Sequence, residues 1–175
     1  YFVLGSFASA IFLYGVASIF GTTGNTFLLE LSEIGAELIS TNRLFLFGIV
    51  MIVVGLAFKV SIFPFHAWTP DVYQGAATPV TAFMAAGVKV AVFVAFLRVM
   101  ATQILNGERA EDLVFALEWL TVFTMLAGNI AAILQSSVKR MLAYSSVAHS
   151  GYVLIGVLAA WVGEQGELGA TGVLY

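Results

Sequence analysis

The sequence predicts an all-α fold: a polytopic transmembrane helix bundle of about five spans plus the start of a sixth, with one span broken near Pro64. Three observations predict it. Of the 175 residues, 61% are hydrophobic and 10% charged, whereas roughly a quarter of a soluble domain is charged. A mean hydropathy of +1.00 leaves little for a water-facing surface. The apolar residues also gather in runs close to the roughly 20 residues that a helix needs to cross about 30 Å of hydrocarbon. These runs lack the two-residue alternation of strands and are about twice the length of a barrel strand. Helices that satisfy their own backbone groups in lipid are the remaining solution.

Taken in order, the spans are expected at about 1–20, 44–65, 79–100, 113–134 and 141–162. Between the first two, Gly21-Thr22-Thr23-Gly24-Asn25 is a turn signal. Leu28, Leu31, Ile34 and Leu38 then interleave with Glu30, Glu33 and Glu37 at helical spacing, which suggests a short amphipathic helix at the interface. Pro64 removes a backbone donor inside the second apolar run and breaks or kinks it. Thr69-Pro70 and Thr78-Pro79 each read as an N-cap followed by proline at the first helical position, with Asp71 near a helix N-terminus that favours it. Tyr1 opens directly into an apolar run with no basic region or cleavage site before it. Gly169 to Tyr175 starts another such run. Both ends look cut, so the expectation is a single transmembrane domain that is an internal piece of a longer protein.

A formal charge of −3 without a polybasic run points away from nucleic acid and toward the lipid bilayer as the implied partner. With no cysteine, disulfides, iron–sulfur ligation and thiol catalysis are excluded within this stretch. Arg43, Arg98 and Arg109 fall on one side and Lys139 and Arg140 on the other, so the bare count does not orient the bundle. The adjacent Lys139-Arg140 pair in a short loop is the stronger local signal. It places that loop and the His66–Thr78 connection in the cytoplasm.

The chemistry lies in what the spans fail to exclude. Lys89 is ten residues after Pro79 and nine before Arg98, so its backbone sits about 15 Å from either end of its helix. A lysine stem of about 6 Å does not snorkel that far. An unpaired charge there costs about 2.5–3.5 kcal/mol on insertion scales, which makes function the default reading and packing with an unseen partner the bland one. Lys59 precedes Pro64 by five residues, and broken helices at membrane depth line cavities. Snorkelling toward the His66 side is its alternative. Burial disfavours an ammonium and a nearby carboxylate favours it, so a moving counter-charge makes a lysine take up or release a proton. Glu118 reads as an end-of-helix residue, which leaves the counter-ion of Lys59 to come from outside this stretch. His149, flanked by Ser145, Ser146 and Ser150, is either a proton relay or a core residue bonded to a serine or a carbonyl. His66, at a span mouth, reads as interfacial. The two histidines lie at unmatched depths, which argues against haem.

Two stretches are distinctive together. Lys59 through Lys89, containing Pro64-Phe65-His66-Ala67-Trp68-Thr69-Pro70-Asp71-Val72-Tyr73-Gln74-Gly75, resembles the antiporter-like subunits, of the N type, of bacterial proton-pumping NADH:quinone oxidoreductase, respiratory complex I. Gly128-Asn129, Lys139-Arg140-Met141-Leu142-Ala143-Tyr144-Ser145-Ser146 and His149-Ser150-Gly151-Tyr152 extend the match. The resemblance implies a proton-translocating membrane-arm subunit of a translocase in the bacterial inner (plasma) membrane. It implies that Lys59 is the lysine on a broken helix, paired with a glutamate upstream of Tyr1, and that Lys89 is the central relay lysine. It also implies partners among the other membrane subunits of complex I and no cofactor of this chain's own; NAD, FMN, iron–sulfur clusters and quinone belong to the parent complex. Two rivals remain: a subunit of a multisubunit sodium/proton antiporter, and a structural membrane element in which the lysines only pack.

Overall fold

A computed structural model describes residues 1–101 and 108–162. The expected start of a sixth span, Gly169–Tyr175, lies outside the described residues. Within them the chain is helical, with no strand: α1 Phe2–Thr23, α2 Leu28–Thr41, α3 Arg43–Val60, α4 Thr69–Gly75, α5 Thr78–Phe83, a π-helical turn Met84–Val88, α6 Lys89–Ala101, α7 Glu108–Ile133 and α8 Val138–Val162. Five stretches are long and apolar enough to cross a membrane: Phe2–Thr23, Arg43–Val60, Thr78–Val99, Glu111–Ile133 and Val138–Ala160. The outside of the bundle is itself apolar, with Phe2, Leu29 and Ile133 more than four-fifths exposed. Water would not tolerate that surface, and lipid requires it.

The amphipathic segment forms α2, which buries Leu31, Gly35 and Ile39 while Glu30, Glu33 and Glu37 point outward. Ile34, expected on its apolar face, is exposed instead. Asn42 then starts α3 by accepting the backbone N–H groups of Leu44 and Phe45 at 2.9 and 3.2 Å, which satisfies donors that have no partner inside the helix.

Small residues set the helix spacing. A methyl group on Gly15 would sit 2.7 Å from the Gly48 carbonyl oxygen, and one on Gly55 would sit 2.6 Å from the Phe12 side chain. α1 and α3 therefore meet backbone to backbone, the usual way of gaining dispersion contact where lipid supplies no hydrophobic drive. α7 and α8 do the same through Gly128 against Ala148 and Gly151 against Met125. Between these two pairs lies the core, where Phe45, Phe96, Leu117, Leu154 and Val157 are almost fully buried.

The break after α3 comes at Ser61, three residues ahead of Pro64. A proline ring clashes with the carbonyl four residues back, and here that residue is Val60, the last of the helix. Ser61 takes a left-handed conformation with φ 64°, and Ile62 N–H turns back to the Ala57 carbonyl at 3.0 Å. The orphaned Phe63 N–H is captured by Thr124 Oγ1 of α7 at 3.0 Å. Trp68 closes over the gap, donating its indole N–H to the Phe58 carbonyl at 3.2 Å and stacking on Phe58.

The threonines expected as N-caps are not caps. Trp68 and Ala77 hold those positions, with Thr69 and Thr78 one residue inside. Thr69 Oγ1 is instead committed to Ser61 Oγ at 2.6 Å, stitching α4 to the break in a site where both residues are buried. The 61–77 and 134–137 connections lie at one end of the bundle, where Arg140 bridges to Asp71 at 2.7 Å and donates to Gln74 at 3.2 Å.

Candidate functional site

Lys89 opens α6 directly after the π-helical turn. Such a turn holds one residue more than an α turn and so rotates the next helical segment by about 100°. The rotated side chain is 7% exposed and reaches α8. Its Nζ donates to three oxygens: the Ser146 carbonyl at 2.5 Å, Ser146 Oγ at 2.7 Å and Ser150 Oγ at 2.8 Å. Ser146 and Ser150 are four residues apart and share one helix face. Ser150 Oγ also donates to the Ser146 carbonyl at 3.1 Å. Among the described residues no carboxylate pairs with Lys89.

This set of ligands accommodates both protonation states. The ammonium has three donors and no acceptor, and three oxygens receive them. The free amine has two N–H groups and one lone pair, and a serine hydroxyl satisfies the lone pair by rotating its proton inward. A carboxylate would fix the charged form; neutral oxygens do not.

His149 lines the same cavity of about 260 Å³ as Lys89, Ser146 and Ser150. Its ring lies 5.7 Å from that of Tyr152, whose hydroxyl accepts from Asn129 Nδ2 at 2.9 Å. Ser146 and Ser150, which the sequence offered to His149, serve Lys89 instead. Their i, i+4 spacing is visible in the sequence, but which neighbour α8 turns that face toward is decided by packing. The π-helical turn leaves no signal in composition at all.

Lys59 stands apart. It lies in the last turn of α3, where a helix C-terminus favours a cation. It lines a separate, open groove with Tyr1, Ser6, Ser9 and Phe58, and among the described residues it makes no hydrogen bond or ion pair. His66 stacks on Phe63 at 5.5 Å, and its buried Nδ1 has no partner among the described residues. Burial lowers its pKa below the usual 6.5, which favours the neutral ring. Glu118 is exposed on α7, ten residues after Glu108. It lies seven residues into the apolar stretch Glu111–Ile133, about 10 Å along the axis.

A lipid-facing bundle with a broken helix and a mid-span lysine held by neutral oxygens defines a polytopic membrane protein with an intramembrane ionisable site. More particularly, the chain belongs to the family described as "NADH:quinone oxidoreductase/Mrp antiporter, TM", whose model matches residues 1–173. It is 59% identical to NADH-quinone oxidoreductase subunit N of Bdellovibrio bacteriovorus over 100% of this chain and 36% of that protein. Among solved structures, it resembles a chain of respiratory complex I from Thermus thermophilus with bound aureothin. The TM-score there is 0.74 with 41% identity, covering 99% of this chain and 36% of the other. A chain of the membrane-bound sulfane sulfur reductase, an archaeal respiratory membrane complex, superposes at TM-score 0.84 with 29% identity, covering 99% and 35%. The chain thus spans about a third of the length of the relatives it matches.

Proposed function

We propose that this chain is part of the antiporter-like N subunit of a proton-translocating NADH:quinone oxidoreductase in the bacterial inner membrane, and that Lys89 carries the proton within it. The observation that carries this reading is the Lys89 amine, buried at mid-span and held by three neutral oxygens that serve the ammonium and the free amine alike. A lysine kept only for packing gains nothing from a site tolerant of both states, whereas a relay needs one. The 59% identity to a subunit N favours this reading over an antiporter subunit of the same family.

In this account, protons are the cargo and the redox chemistry of NAD, FMN, iron–sulfur clusters and quinone takes place in partner subunits. Moving one charge against the membrane potential costs about 2.3 kcal/mol per 100 mV, and the partners supply it. His149, in the same cavity as Lys89, receives the proton next. Lys59 holds a second charge whose counter-ion lies beyond this stretch, and its gain or loss of that partner alters the field at Lys89.

The test is Lys89→Met in the full-length subunit within its complex, with assembly verified first. Methionine keeps the length and removes the titratable amine. The proton-to-electron ratio in sealed vesicles is expected to fall; an unchanged ratio in an assembled complex would make the lysine structural.

A further inference from the structure

α5 and α8 both begin at the end of the bundle that holds the 61–77 and 134–137 connections, so they run inward side by side in the same direction. They meet at mid-span, where Lys89 Nζ at the start of α6 donates to the Ser146 hydroxyl and carbonyl. Short of that contact they stand apart. Between them lies a cleft of about 270 Å³, with Thr78, Ala82 and Ala85 on one wall and Lys139, Leu142 and Ala143 on the other. Thr78 precedes Lys89 by eleven residues, about 16 Å of helix. One leaflet of the hydrocarbon core is about 15 Å deep. The cleft therefore reaches from the connection end to mid-bilayer, the depth of a single acyl chain.

Its walls present hydrocarbon. Thr81 Oγ1 is committed to the Tyr73 carbonyl at 3.3 Å, and Ser146 Oγ accepts from Lys89 at 2.7 Å. A bound water needs polar partners, and the methyl groups of Ala82, Ala85, Leu142 and Ala143 supply none. The cleft is open to the side, because Ala82 and Leu142 are exposed. A helix about 10 Å across fills about 1,250 Å³ over the same length, several times the volume present, so no further helix enters it. A single hydrocarbon chain does. At the outer end of the wall stands Lys139, exposed and, among the described residues, without a hydrogen bond or ion pair. It lies in the first turn of α8, where the helix dipole disfavours a cation and no acidic residue offsets it. Arg140 beside it is already engaged with Asp71. The outer end of the cleft thus carries one unmatched positive charge at headgroup depth.

We propose that the cleft between α5 and α8 is a phospholipid site: one acyl chain lies between Thr78 and Ser146, and the phosphate of a net-anionic headgroup pairs with Lys139. Basic residues at the ends of interhelical grooves recruit anionic headgroups in this way. The chain fills the gap that the small side chains leave, so α5 and α8 keep dispersion contact along the outer half of their span. The site stands on the cleft and on Lys139, independently of the reading of Lys89 as a proton carrier.

The test reconstitutes the full-length complex in phosphatidylcholine vesicles containing a trace of phosphatidylglycerol with a photoactivatable diazirine midway along one acyl chain. Labelled residues are read by peptide mass spectrometry. The expected result is labelling of the cleft walls at Ala82, Ala85 or Leu142 that excess unlabelled phosphatidylglycerol competes away. Lys139→Gln is expected to lower that labelling about fivefold, and Lys139→Arg to retain it. Ala82→Phe, which fills the cleft, is expected to abolish the same labelling with the charge intact. Equal labelling by a phosphatidylcholine probe, or labelling unaffected by Lys139→Gln, overturns the site, because the cleft would then hold only bulk lipid. Walls left unlabelled in an assembled complex overturn it too, as they would if another segment of the longer chain covered the opening.

Discussion

A lysine at mid-span costs several kilocalories if left alone, so the atoms around Lys89 carry most of the meaning at the residue scale. Its three acceptors come from two serines, and the loss of one is measurable. A hydrogen bond to a charged group contributes about 1.5–3 kcal/mol. Ser150→Ala, which removes the oxygen 2.8 Å from Nζ, is therefore expected to slow pumping about tenfold in an assembled complex, and Ser150→Thr to restore most of it. Equal pumping by the alanine and threonine variants would show that the hydroxyl does not bear on the amine. The lysine is legible in the sequence because depth follows from counting residues between helix ends. The serines are legible only as a pair on one face of α8. Sequence proximity pairs them with His149, because the partner across a helix interface is a tertiary fact.

At the scale of elements, the helices follow from apolar runs of spanning length, and the break in the second run follows from Pro64. The position of the break is less legible: a proline acts on the carbonyl four residues earlier, and the left-handed Ser61 takes the turn. The Thr-Pro pairs mislead for a similar reason. A threonine hydroxyl that finds a buried partner, as Thr69 finds Ser61, gives up its capping role. The π-helical turn is illegible because it changes the register of the hydrogen bonds without requiring any particular residue. Packing between elements gives a direct prediction. A methyl group on Gly128 would lie 2.7 Å from the Ala148 backbone nitrogen, so Gly128→Val forces α7 and α8 apart at about 1–3 kcal/mol and carries Ser146 and Ser150 away from Lys89. Both the thermal stability of the complex and its pumping should fall. Gly21→Ala, where nothing lies within 4 Å, should change neither; similar melting for the two variants would contradict the close approach.

For the whole molecule, composition decides the class, and the apolar exterior agrees with it. Polar groups meet around Lys89 and around the α3 break, where Thr124 and Trp68 satisfy backbone groups freed by the missing helical turn and Thr69 bonds Ser61. Relatives about three times as long carry this unit within a larger chain, so its chemistry is to be measured in the full-length complex. The central claim is that the Lys89 amine gains and loses a proton, and Lys89→Arg isolates it. Arginine keeps a positive charge at the same depth but does not deprotonate in proteins. In sealed vesicles carrying the verified complex, the account predicts that Lys89→Arg loses proton pumping as Lys89→Met does. Pumping at the unsubstituted proton-to-electron ratio in the arginine variant would contradict it, because a fixed charge would then suffice.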